Sequence, residues 1–213
     1  MVTPYSQRDT EWSQDRLGSN PPTMGEVGCL VTSVASVVTD MTSYSMSPGY
    51  LNHWLRENKG FASGNLFVFN SVAALGLKLS AFIRAENNEM PLDRLTAALE
   101  DGAAVVLQVD STPGGTLNQH WVRLMSLSDQ DGEIMDPWQL PGKEMVKLSK
   151  YFASGWTPKR AIFAAAVYAQ AANRSLSRPS YAPFPGLPSA GDSLPAELLE
   201  AAQPFLCPRP PDE

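Results

Sequence analysis

The sequence predicts an α+β fold, with N-terminal helices packed on an antiparallel β-sheet. In the first half, apolar residues recur at the three- and four-residue intervals of helices. In the second half, apolar and β-branched runs are typical of strands, and two of them flank a turn-forming segment as in a hairpin. Helices followed by strands are the order of an α+β protein. The length of 213 residues suffices for one core with a small appendage.

The first long helix is predicted to begin at Cys29, after a loop that contains Gly25 and Gly28. These glycines would allow backbone conformations that a side chain forbids. One face of the helix is apolar, formed by Leu30, Val34, Val37 and Val38. Because β-branched residues are weak helix formers, the helix is expected to depend on burial for its stability.

Proline and glycine punctuate the elements that follow. Ser47 and Pro48 are typical of a helix cap and first turn, and Pro91 and Gly102 bracket a later helix. The predicted elements are a helix at Gly49–Asn58, a short helix at Phe67–Leu75, a strand at Leu77–Ile83, a helix at Pro91–Asp101 and a central strand at Ala103–Val109.

The loop 110–118 leads directly into His120, and it either overhangs a cleft and gates access or is a plain connector. A hairpin follows, in which a turn near 128–132 joins two strands. The remaining predicted elements are strands at 119–127 and 133–138, a helical turn at Leu148–Phe152 and a last strand at Arg160–Tyr168 that closes the sheet.

Cys29 is the candidate nucleophile. A cysteine in the first turn of a helix faces unpaired backbone N–H groups and the positive end of the helix dipole, and both favour the thiolate. The alternative is a small, buried apolar residue.

A nucleophilic cysteine needs a base and a group that orients the base. Of the two histidines, His53 lies off the apolar stripe of its helix and is expected to be solvated, whereas His120 begins a strand. The hairpin should make His120 and Asp136 cross-strand neighbours, so that the carboxylate fixes the imidazole tautomer. An ordinary strand histidine is the weaker reading.

Three blocks of sequence resemble papain-like cysteine peptidases, of the branch similar to bacteriocin-processing (double-glycine leader) peptidases. The blocks begin at Tyr5-Ser6-Gln7, at Gly28-Cys29-Leu30 and at His120-Trp121-Val122, the last being joined by Asp136-Pro137-Trp138. The resemblance implies a papain-like fold, in which residues 1–24 pack beside the cysteine. It also implies that Cys29 is the nucleophile, His120 the base, Asp136 the orienting residue and Gln7 an oxyanion donor. Leu30 departs from the leader peptidases, which usually carry glycine after the cysteine.

Composition excludes several classes of protein. The net charge of −6 and the absence of a basic cluster argue against nucleic acid as a partner. No apolar run approaches the roughly 20 residues of a membrane span, and the N-terminus lacks the pattern of a signal peptide. We expect no cofactor and no metal, since no Cys/His cluster suggests zinc. Two cysteines form no disulfide framework, and a bond between Cys29 and Cys207 would disable the nucleophile.

The domain organisation is predicted to be a peptidase domain at 1–170 followed by a proline-rich extension at 171–213. Nine of the 18 prolines fall in the extension, which also carries Tyr181, Phe184 and a helix-like segment near 193–200. The extension is either a disordered linker or a segment that docks on a protein partner or another subunit.

The expected function is hydrolysis of peptide bonds, with bacterial cell-wall (peptidoglycan) peptides as the first choice of substrate. The protein would be cytoplasmic on synthesis and then incorporated into a phage tail, a virion or another particle. Two alternatives stay open at this point: a protease that processes a precursor, and a catalytically silent structural or adaptor component that keeps the fold.

Overall fold

A computed structural model describes residues 2–114 and 116–171. Its main feature is a six-stranded sheet in which every pairing is antiparallel. The strands are β3 (Leu77–Arg84), β4 (Ala104–Asp110), β5 (Gln119–Leu127), β6 (Gly132–Met135), β7 (Met145–Lys147) and β8 (Ile162–Gln170), after a separate hairpin of β1 (Phe61–Ala62) and β2 (Leu66–Phe67). The order across the main sheet is β3-β8-β4-β5-β6-β7.

Most of the long helices precede the sheet, so the predicted α+β class is confirmed. The helices are α1 (Met24–Val27), α2 (Cys29–Met41), α3 (Pro48–Glu57), α4 (Leu92–Glu100) and α5 (Pro158–Ala161), with 3-10 helices at Ser71–Leu75 and Leu148–Tyr151. The predicted extension lies outside the described residues, apart from Ala171 at its start.

The sheet is covered on both faces. Along β4, Val106 packs in the core shared with α2 and α3, whereas Val105 and Leu107 pack in the core shared with α4. This division follows from the alternation of side chains along a strand. No helix in the described part of the chain is long and apolar enough to cross a bilayer.

Two predicted elements differ from the structure, and one strand was missed. The predicted helix Phe67–Leu75 is a strand end followed by the 3-10 helix Ser71–Leu75, which Gly76 ends in a left-handed conformation (φ 88°). The last strand, β8, does not close the sheet at an edge but lies between β3 and β4. Strand β7 was not predicted.

Helix α2 is more deeply buried than its sequence indicates. The predicted apolar face is buried, but so are Thr32, Ser33 and Ser36, and every residue from Cys29 to Val38 is shielded from solvent. The helix therefore lies in the core, which explains how a segment rich in β-branched residues remains helical.

The turn before α2 is tighter than the predicted loop. Thr23 caps α1 through a reciprocal pair of hydrogen bonds with Glu26. Gly28 has an ordinary φ of −81°, so left-handed backbone is not the reason for glycine here. A Cβ atom at Gly28 would instead lie 2.4 Å from the carbonyl oxygen of Met24. Close backbone approach therefore requires glycine immediately before Cys29.

Candidate functional site

His120 and Asp136 form a buried pair. Nε2 of His120 lies 2.7 Å from Oδ1 of Asp136, and both side chains are almost fully shielded from solvent. The predicted contact is present, but the predicted register is wrong. Met135 pairs with Arg123, and a bulge interrupts the β5–β6 ladder, so Asp136 lies just past the end of β6 and is not directly opposite His120.

Asp136 accepts two hydrogen bonds on each carboxylate oxygen. Oδ1 accepts from His120 and from the backbone N–H of Trp138 (3.0 Å). Oδ2 accepts from the hydroxyl of Tyr151 (2.6 Å) and from the side-chain amide of Gln139 (2.7 Å). All the acceptor positions of an ionised carboxylate are thereby occupied, and its orientation is fixed.

The environment keeps Asp136 ionised. Burial alone would raise its pKa, but the charge of His120 and the hydrogen bonds from His120, Tyr151 and the Trp138 N–H outweigh burial and lower the pKa to about 2. Lys150 adds a more distant positive charge, with Nζ 3.8 Å from Oδ2. A permanent carboxylate facing Nε2 holds the imidazole in the tautomer that carries its proton on Nε2.

Gln7 connects the segment around Asp136 with the turn that precedes Cys29. Its backbone N–H donates to the carbonyl of Pro137 (2.8 Å), next to Asp136. Its side-chain Nε2 donates to the carbonyl of Gly25 (2.9 Å), in the turn before Cys29. The side chain is fully buried, and its Oε1 has no hydrogen-bond partner among the described residues. Such an orphaned oxygen costs about 1–3 kcal/mol, which favours a functional over a stabilising role.

Helix α2 and strand β5 run in the same direction, side by side. Ser33 donates from its hydroxyl to the carbonyl of Trp121 (3.2 Å). Further along both elements, Arg123 donates to Ser36 (2.7 Å) and forms a partly buried ion pair with Asp40 (2.5 Å). These contacts fix the position of α2 along the length of β5.

The same contacts bring Cys29 and His120 to one end of the helix–strand pair. Cys29 lies one turn before Ser33, and His120 lies one residue before Trp121. Trp121 lies on the face of the sheet that packs against α2. Because side chains alternate along a strand, His120 lies on the opposite face. That the imidazole and the sulfur meet around the end of the sheet, where α2 begins, stays a prediction.

Cys29 itself differs in two respects from the exposed thiolate of an active enzyme. Its side chain is 1% exposed, and its sulfur is disulfide-bonded in this structure. Cys207, the other cysteine of the chain, lies outside the described residues. Nucleophilic chemistry at Cys29 therefore requires that the disulfide be reduced and that a substrate gain access to the sulfur.

Two further expectations concern residues around the site. His53 is exposed on α3, as predicted. At the base of the loop 110–118, Oδ1 of Asp110 accepts from the N–H groups of Thr112 and Asn118, both at 3.0 Å. That the loop gates access stays a prediction.

Sequence reasoning missed Tyr151 and Gln139. Gln139 follows Asp136 by three residues in a turn that contains proline, a spacing at which side chains often bond within the turn. Nothing in the sequence connects Tyr151 to the hairpin, because 15 positions separate it from Asp136. Only the path of the chain through β7 brings it back.

Residues 2–114 and 116–171 contain no group of three or more His, Cys, Asp or Glu side chains placed to hold a metal ion. Comparison of the chain with protein-family models, with curated proteins and with solved structures found no match.

Proposed function

We propose that this protein is a cysteine peptidase in which Cys29, His120, Asp136 and Gln7 carry the reaction. The observation that carries the proposal is the buried His120–Asp136 pair, linked through Gln7 to the turn that precedes Cys29. A carboxylate, an imidazole, an amide and a cysteine at a helix start are the groups that acyl transfer needs.

In the proposed reaction the Cys29 thiolate attacks the carbonyl carbon of a peptide bond. The S–C bond forms as the π bond of the carbonyl breaks, and the negative charge moves to the carbonyl oxygen. His120, protonated on both ring nitrogens, then gives a proton to the leaving amine as the C–N bond breaks. Water then gives a proton to His120 and attacks the thioester carbonyl, and the C–S bond breaks to release the carboxylic acid and the Cys29 thiolate. Asp136 holds the imidazole by its Nε2, so that Nδ1 serves Cys29.

Gln7 is proposed to stabilise the oxyanion together with the backbone N–H of Cys29. An amide nitrogen carries two hydrogens, and the bond to Gly25 uses one of them. The second remains for a developing negative charge. Because the Gln7 amide is held by its neighbours before the substrate arrives, no reorganisation is needed in the transition state.

Replacing Gln7 with alanine should lower kcat by about 10²–10³-fold while leaving measurable activity, as expected when one oxyanion donor is lost. Initial rates of peptide hydrolysis by the reduced enzyme measure this effect. The matched control is Asn52→Ala. Asn52 is another buried amide, and it bridges Gly18 and Arg16 away from the site. Equal losses in both variants would assign Gln7 to folding alone.

The proposed substrate class is the peptide of bacterial cell walls, acted on by a phage-tail or other particle-borne hydrolase. The support is the resemblance to papain-like peptidases and the departure at Leu30 from the pattern of leader peptidases. Digestion of purified peptidoglycan by the reduced protein should release new amino termini that mass analysis of the fragments can locate. If the protein cleaves protein precursors and leaves peptidoglycan intact, this choice of substrate is contradicted.

One observation favours a second function. A nucleophile that is buried and disulfide-bonded is also what a structural or adaptor module of a particle would have, if it kept a peptidase fold without turnover. In such a module the disulfide would serve stability.

A thiol-reactive probe separates the two functions. After reduction at neutral pH, the peptidase should be labelled at Cys29 much faster than the His120→Ala variant, because the imidazole maintains the thiolate. His53→Ala, which changes an exposed histidine, should label like the wild type. Labelling that is equally slow in wild type and His120→Ala would favour the silent module.

A further inference from the structure

Tyr151 contacts both members of the His120–Asp136 pair. Its hydroxyl donates to Oδ2 of Asp136 at 2.6 Å, and its ring lies against the imidazole, with 5.4 Å between ring centroids. Tyr151 is the last residue of the 3-10 helix Leu148–Tyr151, and it is 1% exposed.

The hydroxyl can act only as a donor to this carboxylate. Burial, with the negative charge of Asp136 next in weight, raises the pKa of Tyr151 far above its ordinary value. The phenol therefore keeps its proton throughout the range in which proteins are folded. A buried O–H bond to a charged acceptor is among the stronger hydrogen bonds in proteins.

We propose that Tyr151 is a positioning residue, which holds Asp136 and His120 in the orientation that activates Cys29. The inference rests on the proposed function and assigns to that site a residue outside the four already described. Tyr151 acts through Asp136 and needs no contact with substrate.

The geometry explains why the hydroxyl matters. A carboxylate can rotate about its last torsion, and rotation would carry Oδ1 away from Nε2 of His120. Donors on both oxygens oppose that rotation. On Oδ2 the only other hydrogen bond among the described residues comes from Gln139, whose side chain is half-buried. Tyr151 is therefore the rigid donor on this oxygen, and its ring also limits tilting of the imidazole.

The test is Tyr151→Phe, which keeps the ring and removes the hydroxyl. We expect kcat to fall about tenfold, as for loss of a hydrogen bond to a charged group, with KM unchanged. The rate at which iodoacetamide alkylates reduced Cys29 at neutral pH should fall by a similar factor. This second readout needs no peptide substrate, so it remains informative if the protein hydrolyses none.

Tyr168→Phe is the matched control. Tyr168 is also fully buried, and its hydroxyl donates to the carbonyl of Phe69 in the core shared with α2. This variant should lose comparable stability and keep the alkylation rate. In an Asp136→Asn background, Tyr151→Phe should have no further effect on alkylation, because its route of action is gone.

The outcomes separate the two proposals. If the wild type hydrolyses no peptide but Tyr151→Phe still slows alkylation, the peptidase function fails and the positioning role stands. Wild-type alkylation rates in Tyr151→Phe would overturn the positioning role, as would a further loss in the Asp136→Asn background. If wild type and His120→Ala are alkylated equally slowly, both proposals fail.

Discussion

Alanine in place of Cys29 is expected to abolish peptide hydrolysis, a loss on the order of 10⁶-fold, while the protein stays folded. The sulfur is the proposed nucleophile, and the alanine side chain offers no replacement for it. Cys→Ala removes one buried atom, so we expect a stability cost of about 1 kcal/mol. Initial rates with reduced enzyme and urea unfolding curves measure both effects.

The comparison must use reduced wild-type protein, because the disulfide at Cys29 contributes stability that the variant cannot have. His53→Ala controls for changes unrelated to the site, since that residue is exposed on α3. Hydrolysis by Cys29→Ala at the wild-type rate, or an equal loss in His53→Ala, would contradict the assignment of the nucleophile.

Asp136→Asn should have the second-largest effect, a fall in kcat of roughly 10⁴-fold at neutral pH. Asparagine keeps the shape of the side chain. The carboxylate accepts four hydrogen bonds, whereas the NH₂ group of asparagine can only donate and would face two of the same donors. The imidazole would lose the partner that fixes its tautomer. Gln139→Ala is the control, because it removes one donor but leaves the charge, and we expect less than a tenfold loss.

The same variant has a pH signature in stability. The pKa of Asp136 is lowered to about 2, so its ionised form stabilises the fold above the unfolded pKa of about 4. That contribution is lost as the pH falls through about 2. Asp136→Asn should therefore be less stable than wild type by about 3 kcal/mol at pH 7, and the gap should close between pH 4 and pH 2. A gap that stays constant with pH would mean that charge is not its cause.

Local patterns predicted much of the fold. The caps at Ser47 and the glycines after α4 and the 3-10 helix Ser71–Leu75 signalled where elements begin and end, because each satisfies backbone groups within a few residues. The failures concern contacts that are distant in sequence. The position of β8 between β3 and β4 depends on its pairing with both strands. No local sequence pattern predicts such pairing.

For the candidate site, too, the sequence predicted the residue types but not their geometry. The residue types and their order along the chain pointed to Cys29, His120, Asp136 and Gln7, and the contact between the imidazole and the carboxylate is present. The details of that contact were not predictable. A bulge in β5–β6 changes the register, and Asp136 reaches His120 from beyond the strand end.

The amino-acid sequence by itself determined the helix and strand patterns, the helix that begins at Cys29, and the set of chemical groups from which a reaction can be proposed. The tertiary structure alone decided that α2 is buried on all sides, that Gln7 links the turn before Cys29 to Pro137, and that Tyr151 completes the shell of donors around Asp136. The physical reason is range. Periodicity and capping act over a few residues, whereas a buried carboxylate collects its donors from wherever the folded chain brings them.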